Sequence, residues 1–509
     1  MHAIFDEGAS APCPAPFNLA AYVLAPAALS PEKVALAIIG PHGAERWSYA
    51  RLEAAVRGLA AGLLEMGLPE GGRVLLRLGN GVEFPIGYLA AIAAGLVPVP
   101  TSAMLTRTEI GKLAAEIEPV AILAGPNVAL PDDCPAPVLD IKAQRGFYDH
   151  APADYVQGAP DRPAYIVYTS GSSGQPRGVI HAHRAIWARR MMWEGWYGLC
   201  PEDRLLHAGA FNWTYTLGTG LLDPWTIGAT ALIPAPGVLP GELPLLLRRF
   251  DATLFAAAPG VYRQMLKKHP QIVLPKLRHG LSAGEKMPEA TRAAWREATG
   301  TFVYEALGMS ECSTFVSGSP ARPAPLPASG YPQAGRRIAV LGPDNTPVAR
   351  GEPGQLAVSN RDPGLMLGYL KAEAETRARF EGEWFLTGDM VEMAEDGAIT
   401  YLGRGDDMLN AGGVRVSPLE VERALMEHPE IHEVAATEIA VKADTTVIAA
   451  FYTGTPQDEA GLAAFAAERL ARYKQPRLYI HLDALPKTPN GKLNRRLIRQ
   501  THEAALGPA

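Results

Sequence analysis

Apolar and polar positions first alternate in a helical rhythm from Tyr49 to Met66, then collapse into a short strand-like run, VLLRL, at Val74–Leu78. A second helical pattern follows through Ala91. The alternation recurs further on, with AYIVYTS at Ala164, TALIP at Thr230, ATLFAAAP at Ala252 and HGLSAG at His279. Helical stretches separated by short β-rich runs predict an α/β chain with a parallel or mixed sheet. After about Gly330 the pattern shifts to turn-rich short strands, RIAVLG, GQLAVSN and GAITYLG, as in a β-subdomain. The last hundred or so residues read as a small α+β unit. It has a helix from Ser417 to Met426, strands at Val434–Ala440 and Val447–Tyr452, and a helix from Asp458 to Tyr473.

The chain has 509 residues, which at roughly 100–200 residues per domain allows more than one domain and a large core. With 48% hydrophobic and 20% charged residues it is neither disordered nor fibrous. Lys and Arg number 47 against 53 Asp and Glu, a balance that argues against a nucleic-acid partner. The 4 cysteines, Cys13, Cys134, Cys200 and Cys312, form no CxxC pair, so neither a disulfide framework nor a zinc cluster is expected. The start, MHAIFDEGASAPCPAP, carries acids and prolines where a secretory signal has a basic start and an apolar run. The stretch Tyr88–Pro100 falls short of the ~20 residues of a spanning helix. A reducing cytoplasm without stable membrane association is the expectation.

Two loops carry candidate chemistry. YTSGSSGQPRG, Tyr168 to Gly178, follows an apolar strand and interleaves Thr169, Ser170, Ser172 and Ser173 with Gly171 and Gly174. Glycines let the backbone approach an anion and aim successive N–H groups at it, and the hydroxyls add donors, which suits a polyphosphate. The spacing departs from GxxxxGK[ST], so an ordinary P-loop ATPase is disfavoured, and a plain surface loop is the bland alternative. GLSAG, Gly280–Gly284, satisfies the nucleophile-elbow formula around Ser282 and raises a hydrolase alternative.

Five strings stand in order: YTSGSSGQPRG, YEALGMSEC (Tyr304–Cys312), WFLTGD (Trp384–Asp389), GRGDDMLNAGG (Gly403–Gly413) and PKTPNGK (Pro486–Lys492). Together they resemble the acyl-adenylate-forming superfamily, from about Trp47 to Arg496, and within it the acyl-CoA synthetases, most of all the benzoate-CoA ligase branch. The resemblance implies a large N-terminal domain, 1–404, of stacked α/β subdomains plus a β-subdomain, and a small mobile C-terminal lid, 405–509, hinged near Asp406. It implies ATP and CoA as co-substrates with Mg²⁺, and a homodimer by association with relatives. A carboxylate would attack the α-phosphate to give acyl-AMP and pyrophosphate, and CoA would then displace AMP.

By the same resemblance, Thr169, Ser170, Gly171, Ser172, Ser173 and Gly174 hold the β- and γ-phosphates. Ser310 reaches the α-phosphate, and Glu311 is a hard oxygen ligand for magnesium. Gly284, Glu285 and the backbone of Tyr304, Glu305, Ala306 and Leu307 form the adenine pocket, which also accounts for GLSAG without a nucleophile. Asp389, with Arg404 beside it, accepts from the ribose hydroxyls, and Arg415 meets phosphate. Lys492 bridges the substrate carboxylate and the α-phosphate during adenylation, and rotation about Asp406 opens a CoA route past Gly412 and Gly413. Arg177 stands where many relatives have lysine and is assigned no catalytic role.

The acyl pocket is expected among Trp213, Thr214, Tyr215, Ala258, Gly308, Thr314 and Phe315. Acetate-using relatives carry Trp where Gly308 stands, so an acid larger than propionate is expected, with Trp213 and Tyr215 as flat walls or as plain core. Thr314 replaces the His of benzoate ligases. The expectation is therefore an aromatic acid, with a medium-chain fatty acid as the alternative. Transfer to a carrier protein, and nucleotide binding without chemistry, are the more distant ones.

Overall fold

The computed structural model describes residues 1–8, 10–169, 176–405, 407–411, 414–442, 445–488 and 492–506. The Cα framework falls into two compact units, one of Phe5–Ile338 with Val358–Phe385, the other of Met1–Ile4, Ala339–Ala357 and Leu386–Ala509.

The large unit is built on a nine-stranded sheet. Val34–Gly40, Thr230–Pro234, Arg204–His207, Leu254–Ala256, His279–Ala283 and Phe302–Met309 run parallel in that order, and antiparallel strands flank them at both edges. Parallel pairing places the carboxyl ends of these strands along one edge of the sheet, where open α/β sheets bind ligands. A four-stranded parallel sheet, Val97–Pro100, Arg73–Arg77, Ala121–Ala124 and Val138–Leu139, forms a second layer. Helix Tyr49–Glu65 is capped by Ser48, whose side chain accepts from the Arg51 N–H. Its buried Leu52, Val56, Leu59 and Leu63 recur at helical spacing and pack toward helix Glu83–Ala93. The apolar run expected at Tyr88–Pro100 is thus the end of a buried helix and a short strand. Among the described residues no helix is long and apolar enough to cross a membrane.

In the second unit a three-stranded sheet, Ile431–Lys442, Thr445–Gly454 and Leu478–His481, carries helices Pro418–Met426, Glu459–Ala467 and Arg495–Leu506. Buried Glu422 joins three of these elements, accepting from Arg495 at 2.7 Å and from the Ala436 N–H at 2.8 Å. The helix expected from Asp458 to Tyr473 stops at Ala467. There the Leu470 N–H turns back to the Ala466 carbonyl and Leu470 enters the core, leaving only a 3-10 turn at Arg472–Lys474.

Candidate active site

Each expected site residue belongs to one unit or the other. In the large unit, the hairpin Pro163–Thr169/Arg177–Ala182 presents the glycine- and hydroxyl-rich loop. Thr169 ends the first strand opposite Arg177, and Ser170, Gly171, Ser172, Ser173 and Gly174 lie outside the described residues. Arg177 pairs with Glu375 at 3.0 Å, so its charge is already engaged.

Ser310 and Glu311 follow strand Phe302–Met309 at the carboxyl edge of the sheet, in the turn to Ser313–Ser317. The Ser310 carbonyl accepts from Nε2 of His181 at 2.7 Å, and His181 stacks on Tyr165 with ring centroids 4.9 Å apart. Glu311 is buried. Its Oε1 accepts from the Tyr369 hydroxyl at 2.7 Å, with Arg379 at 4.0 Å, and Oε2 takes no hydrogen bond among the described residues. Burial and the neighbouring carboxylate push the Tyr369 hydroxyl up to about 12. Glu311 therefore offers one unengaged carboxylate oxygen, the donor chemistry a hard cation such as magnesium takes alongside nucleotide phosphates.

Residues Tyr304, Glu305, Ala306 and Leu307 lie within the same strand, and Gly284 follows the neighbouring strand at φ +96° with Glu285 beside it. The Glu305 carboxylate is consumed internally by Arg292 at 2.8 Å and Lys286 at 3.1 Å, and its carbonyl accepts from the Gly318 N–H at 3.1 Å. Ser282 lies inside strand His279–Ala283, fully buried and in register with Glu305. A nucleophile elbow needs the serine exposed on the turn after the strand, so the GxSxG match has no hydrolase geometry here.

The expected acyl residues divide between cleft and core. Thr214 and Ser310 line one cleft with Tyr165, His181, Arg189 and Ser313. Tyr215 is buried, donates to the Leu281 carbonyl at 3.1 Å and packs edge-on to His207 and Trp213. Trp213 packs against that same core cluster. Phe315 is fully buried, Ala258 precedes helix Pro259–Lys268, and the Thr314 hydroxyl turns to Met192 Sδ. A Cβ at Gly308 would sit 2.3 Å from the Ser313 carbonyl oxygen. In this chain the adjoining strand therefore approaches closely at Gly308.

In the second unit, Asp389 and Arg404 face each other in register on strands Trp384–Met393 and Ile399–Arg404. Arg404 Nη1 donates to Asp389 Oδ1 at 3.0 Å, and Asp389 is buried. Arg415 lies on strand Val414–Val416 opposite Asn410. Asp406, Gly412 and Gly413 lie outside the described residues. Lys492 is half-buried and anchored through its backbone. Its N–H donates to Thr488 Oγ1 at 3.2 Å, and its carbonyl accepts from the Thr488 N–H at 2.7 Å.

Four site or core imidazoles of the large unit are held neutral by burial, His181 and His279 near pKa about 4, His183 and His207 near about 3. Their ordinary value is 6.5. Between that value and the depressed ones the unfolded chain binds protons that the folded chain refuses. Stability is therefore fully present above pH 6.5 and falls as the pH drops toward 4. Each group contributes a loss of about 2 kcal/mol at pH 5. All 8 tryptophans lie in this unit, so their fluorescence reports its unfolding. The urea midpoint is expected to fall clearly from pH 7.5 to pH 5, and equal midpoints would show these imidazoles to be protonated or exposed.

Reading the sequence alone misses His181, Tyr165 and the pair Arg189–Asp223. The one signal available for them is Asp223 itself, a lone carboxylate in the apolar run GTGLLDPW.

Comparison with known proteins adds the family context. The family model described as AMP-binding enzyme matches residues 25–370, and that of the AMP-binding enzyme C-terminal domain matches residues 420–492. A 4-hydroxybenzoate--CoA/benzoate--CoA ligase of Rhodopseudomonas palustris is 30% identical over 485 residues, covering 89% of this chain and 88% of the relative. The human mitochondrial acyl-coenzyme A synthetase ACSM3 is 27% identical, over 89% of this chain and 83% of its own length. Among solved structures, the anthranilate CoA ligase AuaEII with anthranoyl-AMP superposes with a TM-score of 0.89 at 25% identity, over 97% of this chain and 99% of that one. A benzoate CoA ligase from Burkholderia xenovorans does so with 0.83 at 27% identity, over 95% and 100%.

Proposed function

We propose that this chain, which belongs to the AMP-binding enzyme family and is an AMP-forming acid–thiol ligase, activates an aromatic carboxylic acid. The overall reaction is ATP-dependent acyl-CoA ligation. The acid's carboxylate displaces pyrophosphate from ATP, and the CoA thiol then displaces AMP from the acyl-adenylate.

The observation that carries the aromatic reading is the cleft holding Thr214 and Ser310, which is lined by Tyr165 stacked on neutral His181. Flat π-faces beside the reacting end suit a ring that lies against them. Relatives named as benzoate and hydroxybenzoate ligases support the same reading. Leu217 and Leu222 on that cleft favour the second reading, a medium-chain alkyl acid, in line with the ACSM3 relatives.

Within this proposal the Ser310 hydroxyl donates to the α-phosphate, and Thr169 with the adjoining loop holds the outer phosphates. Asp389 accepts from the ribose diol, with Arg404 fixing its carboxylate. Magnesium, when bound with ATP, spreads the phosphate charge, and Glu311 Oε2 is the oxygen that would hold it. Residues 405–509 act as the lid that brings Lys492 to the adenylation step.

Thioester formation followed by mass spectrometry, with ATP, Mg²⁺ and CoA against benzoates, phenylacetate and C2–C10 fatty acids, tests the reading. A fitted ring contributes about 1–3 kcal/mol of discrimination. Benzoate-class acids are therefore expected to exceed fatty acids about 5- to 150-fold in kcat/KM. Thioesters confined to C6–C10 acids would replace the aromatic reading with the alkyl one. Pyrophosphate release without thioester would indicate an acceptor other than CoA.

A further inference from the structure

Arg189 follows the short helix Ala185–Ala188, and nothing in the adenylation scheme requires it. It is nonetheless built into the molecule with unusual care. Its Nε donates to Asp223 Oδ1 at 2.7 Å and its Nη2 to Oδ2 at 2.5 Å, while the Tyr197 hydroxyl donates to the same Oδ2 at 2.7 Å. The side chain of Asp223 is 1% exposed and that of Arg189 9%. Gly218 lets the guanidinium approach, since a Cβ there would fall 2.3 Å from Nη2. Burial opposes the charge on Arg189, and the Asp223 carboxylate outweighs it.

A buried ion pair stabilises little compared with well-packed apolar side chains, so packing alone does not account for it. The donor inventory does. A guanidinium has five N–H groups. Nε uses one on Asp223. Nη2 uses one on Asp223 and turns the other toward Tyr197 Oη at 3.3 Å and Thr219 Oγ1 at 3.4 Å. Nη1 uses one on Ser313 Oγ and keeps one with no partner among the described residues. The Ser313 hydroxyl accepts from Arg189 and keeps its own hydrogen to donate. Arg189 and Ser313 both line the cleft that holds Ser310 and Thr214.

We propose that Arg189 and Ser313 form a polar subsite of the acyl cleft that selects acids bearing a neutral oxygen acceptor, a hydroxyl or carbonyl, away from the reacting carboxylate. This rests on the reading of that cleft as the acyl site. The acceptor is neutral because Asp223 already balances Arg189, and a second carboxylate would bring an uncompensated charge into a buried place. Arg189 is thus a specificity-determining residue, held in position by Asp223, Tyr197 and Gly218.

The test compares kcat/KM for matched pairs: benzoate with its three monohydroxy isomers and with a monocarboxybenzoate, and hexanoate with 5-oxohexanoate. The proteins are the full-length wild type, Ser313→Ala, and the double variant Arg189→Met/Asp223→Leu, which removes the pair without stranding a buried charge. Tryptophan fluorescence confirms folding. In the wild type at least one neutral acceptor-bearing acid is expected to exceed its parent tenfold or more, and the dicarboxylic acid to fall below its parent. In both variants the ratio falls to within threefold of one. A purely structural role scales both members of a pair alike and leaves the ratio unmoved, so an unchanged ratio in a folded variant overturns the proposal. A wild-type ratio near one in both series, or a preference for the dicarboxylic acid, overturns it as well. If only the alkyl pair is turned over and shows the expected ratios, the subsite stands and the aromatic reading falls. Turnover of neither series overturns both.

Discussion

Replacing Lys492 by alanine is expected to slow acyl-AMP formation about a hundredfold, with the fold of its unit intact. The reacting carboxylate and the α-phosphate are both anionic, and a cation placed between them removes the repulsion that opposes attack. Unit charges ~4 Å apart attract by about 1 kcal/mol in water and about 4 kcal/mol at an effective dielectric of 20. The difference of about 3 kcal/mol is roughly a hundredfold in rate. The bonds that hold the local turn use the main chain of Lys492. Lys492 exchanges hydrogen bonds with Thr488, and Lys487 bridges to Leu493. Thiolysis of supplied acyl-AMP is expected to change far less, since that step joins no carboxylate to a phosphate. Acid-dependent pyrophosphate exchange measures the first step and thioester formation from synthetic acyl-AMP the second. Exchange at the wild-type rate in Lys492→Ala would remove the residue from the mechanism.

The parts of the molecule legible in its sequence are those encoded locally. Helical periodicity between Tyr49 and Met66 produced a helix at Tyr49–Glu65, and the runs around Thr230 and His279 produced parallel strands. Asp389 and Arg404 meet because neighbouring antiparallel strands put them opposite each other, a short-range event. What remained hidden depends on contacts distant along the chain. His181 finds the Ser310 carbonyl 129 residues away, and Glu311 finds Tyr369 58 residues away. No periodicity reports such a partner. Burial also changes what a residue can do. Tyr215 reads equally as pocket wall or as core in the sequence, and in the fold it is buried with its hydroxyl on the Leu281 carbonyl. At Gly308 the neighbouring backbone comes close, a contact that the residue type alone does not reveal. Ser282 matches the nucleophile-elbow formula by spacing alone and is a buried residue inside a strand.

The second large effect is expected at a residue outside the chemistry. Arg336 and Asp362 are both 0% exposed at their side chains, with Nη1 to Oδ1 at 2.5 Å. Arg336 Nη2 also donates to the Thr314 carbonyl at 2.9 Å, and Asp362 Oδ1 accepts from the Gly364 N–H at 2.7 Å. Removing the cation alone leaves a carboxylate in the interior, with the Gly364 N–H and the Cys312 thiol as its remaining donors. Breaking a buried pair in this way costs about 3–5 kcal/mol, whereas replacing both members by apolar groups is often close to neutral. Arg336→Met is therefore expected to lose about 3–5 kcal/mol in urea unfolding followed by tryptophan fluorescence, and Arg336→Met/Asp362→Leu to recover most of it. A loss below about 1 kcal/mol in the single variant would mean that water reaches the pair. Activity is expected to part company with stability in the double variant. Arg336 Nη1 lies 3.6 Å from Cys312 Sγ, the residue after Glu311, and the Met366 N–H holds the Glu311 carbonyl just beyond Asp362. The ion pair thus joins the turn carrying Ser310 and Glu311 to the segment after Asp362. With apolar substitutes the unit folds, but nothing polar fixes that turn against Thr314, so adenylation stays slow in a protein that unfolds normally.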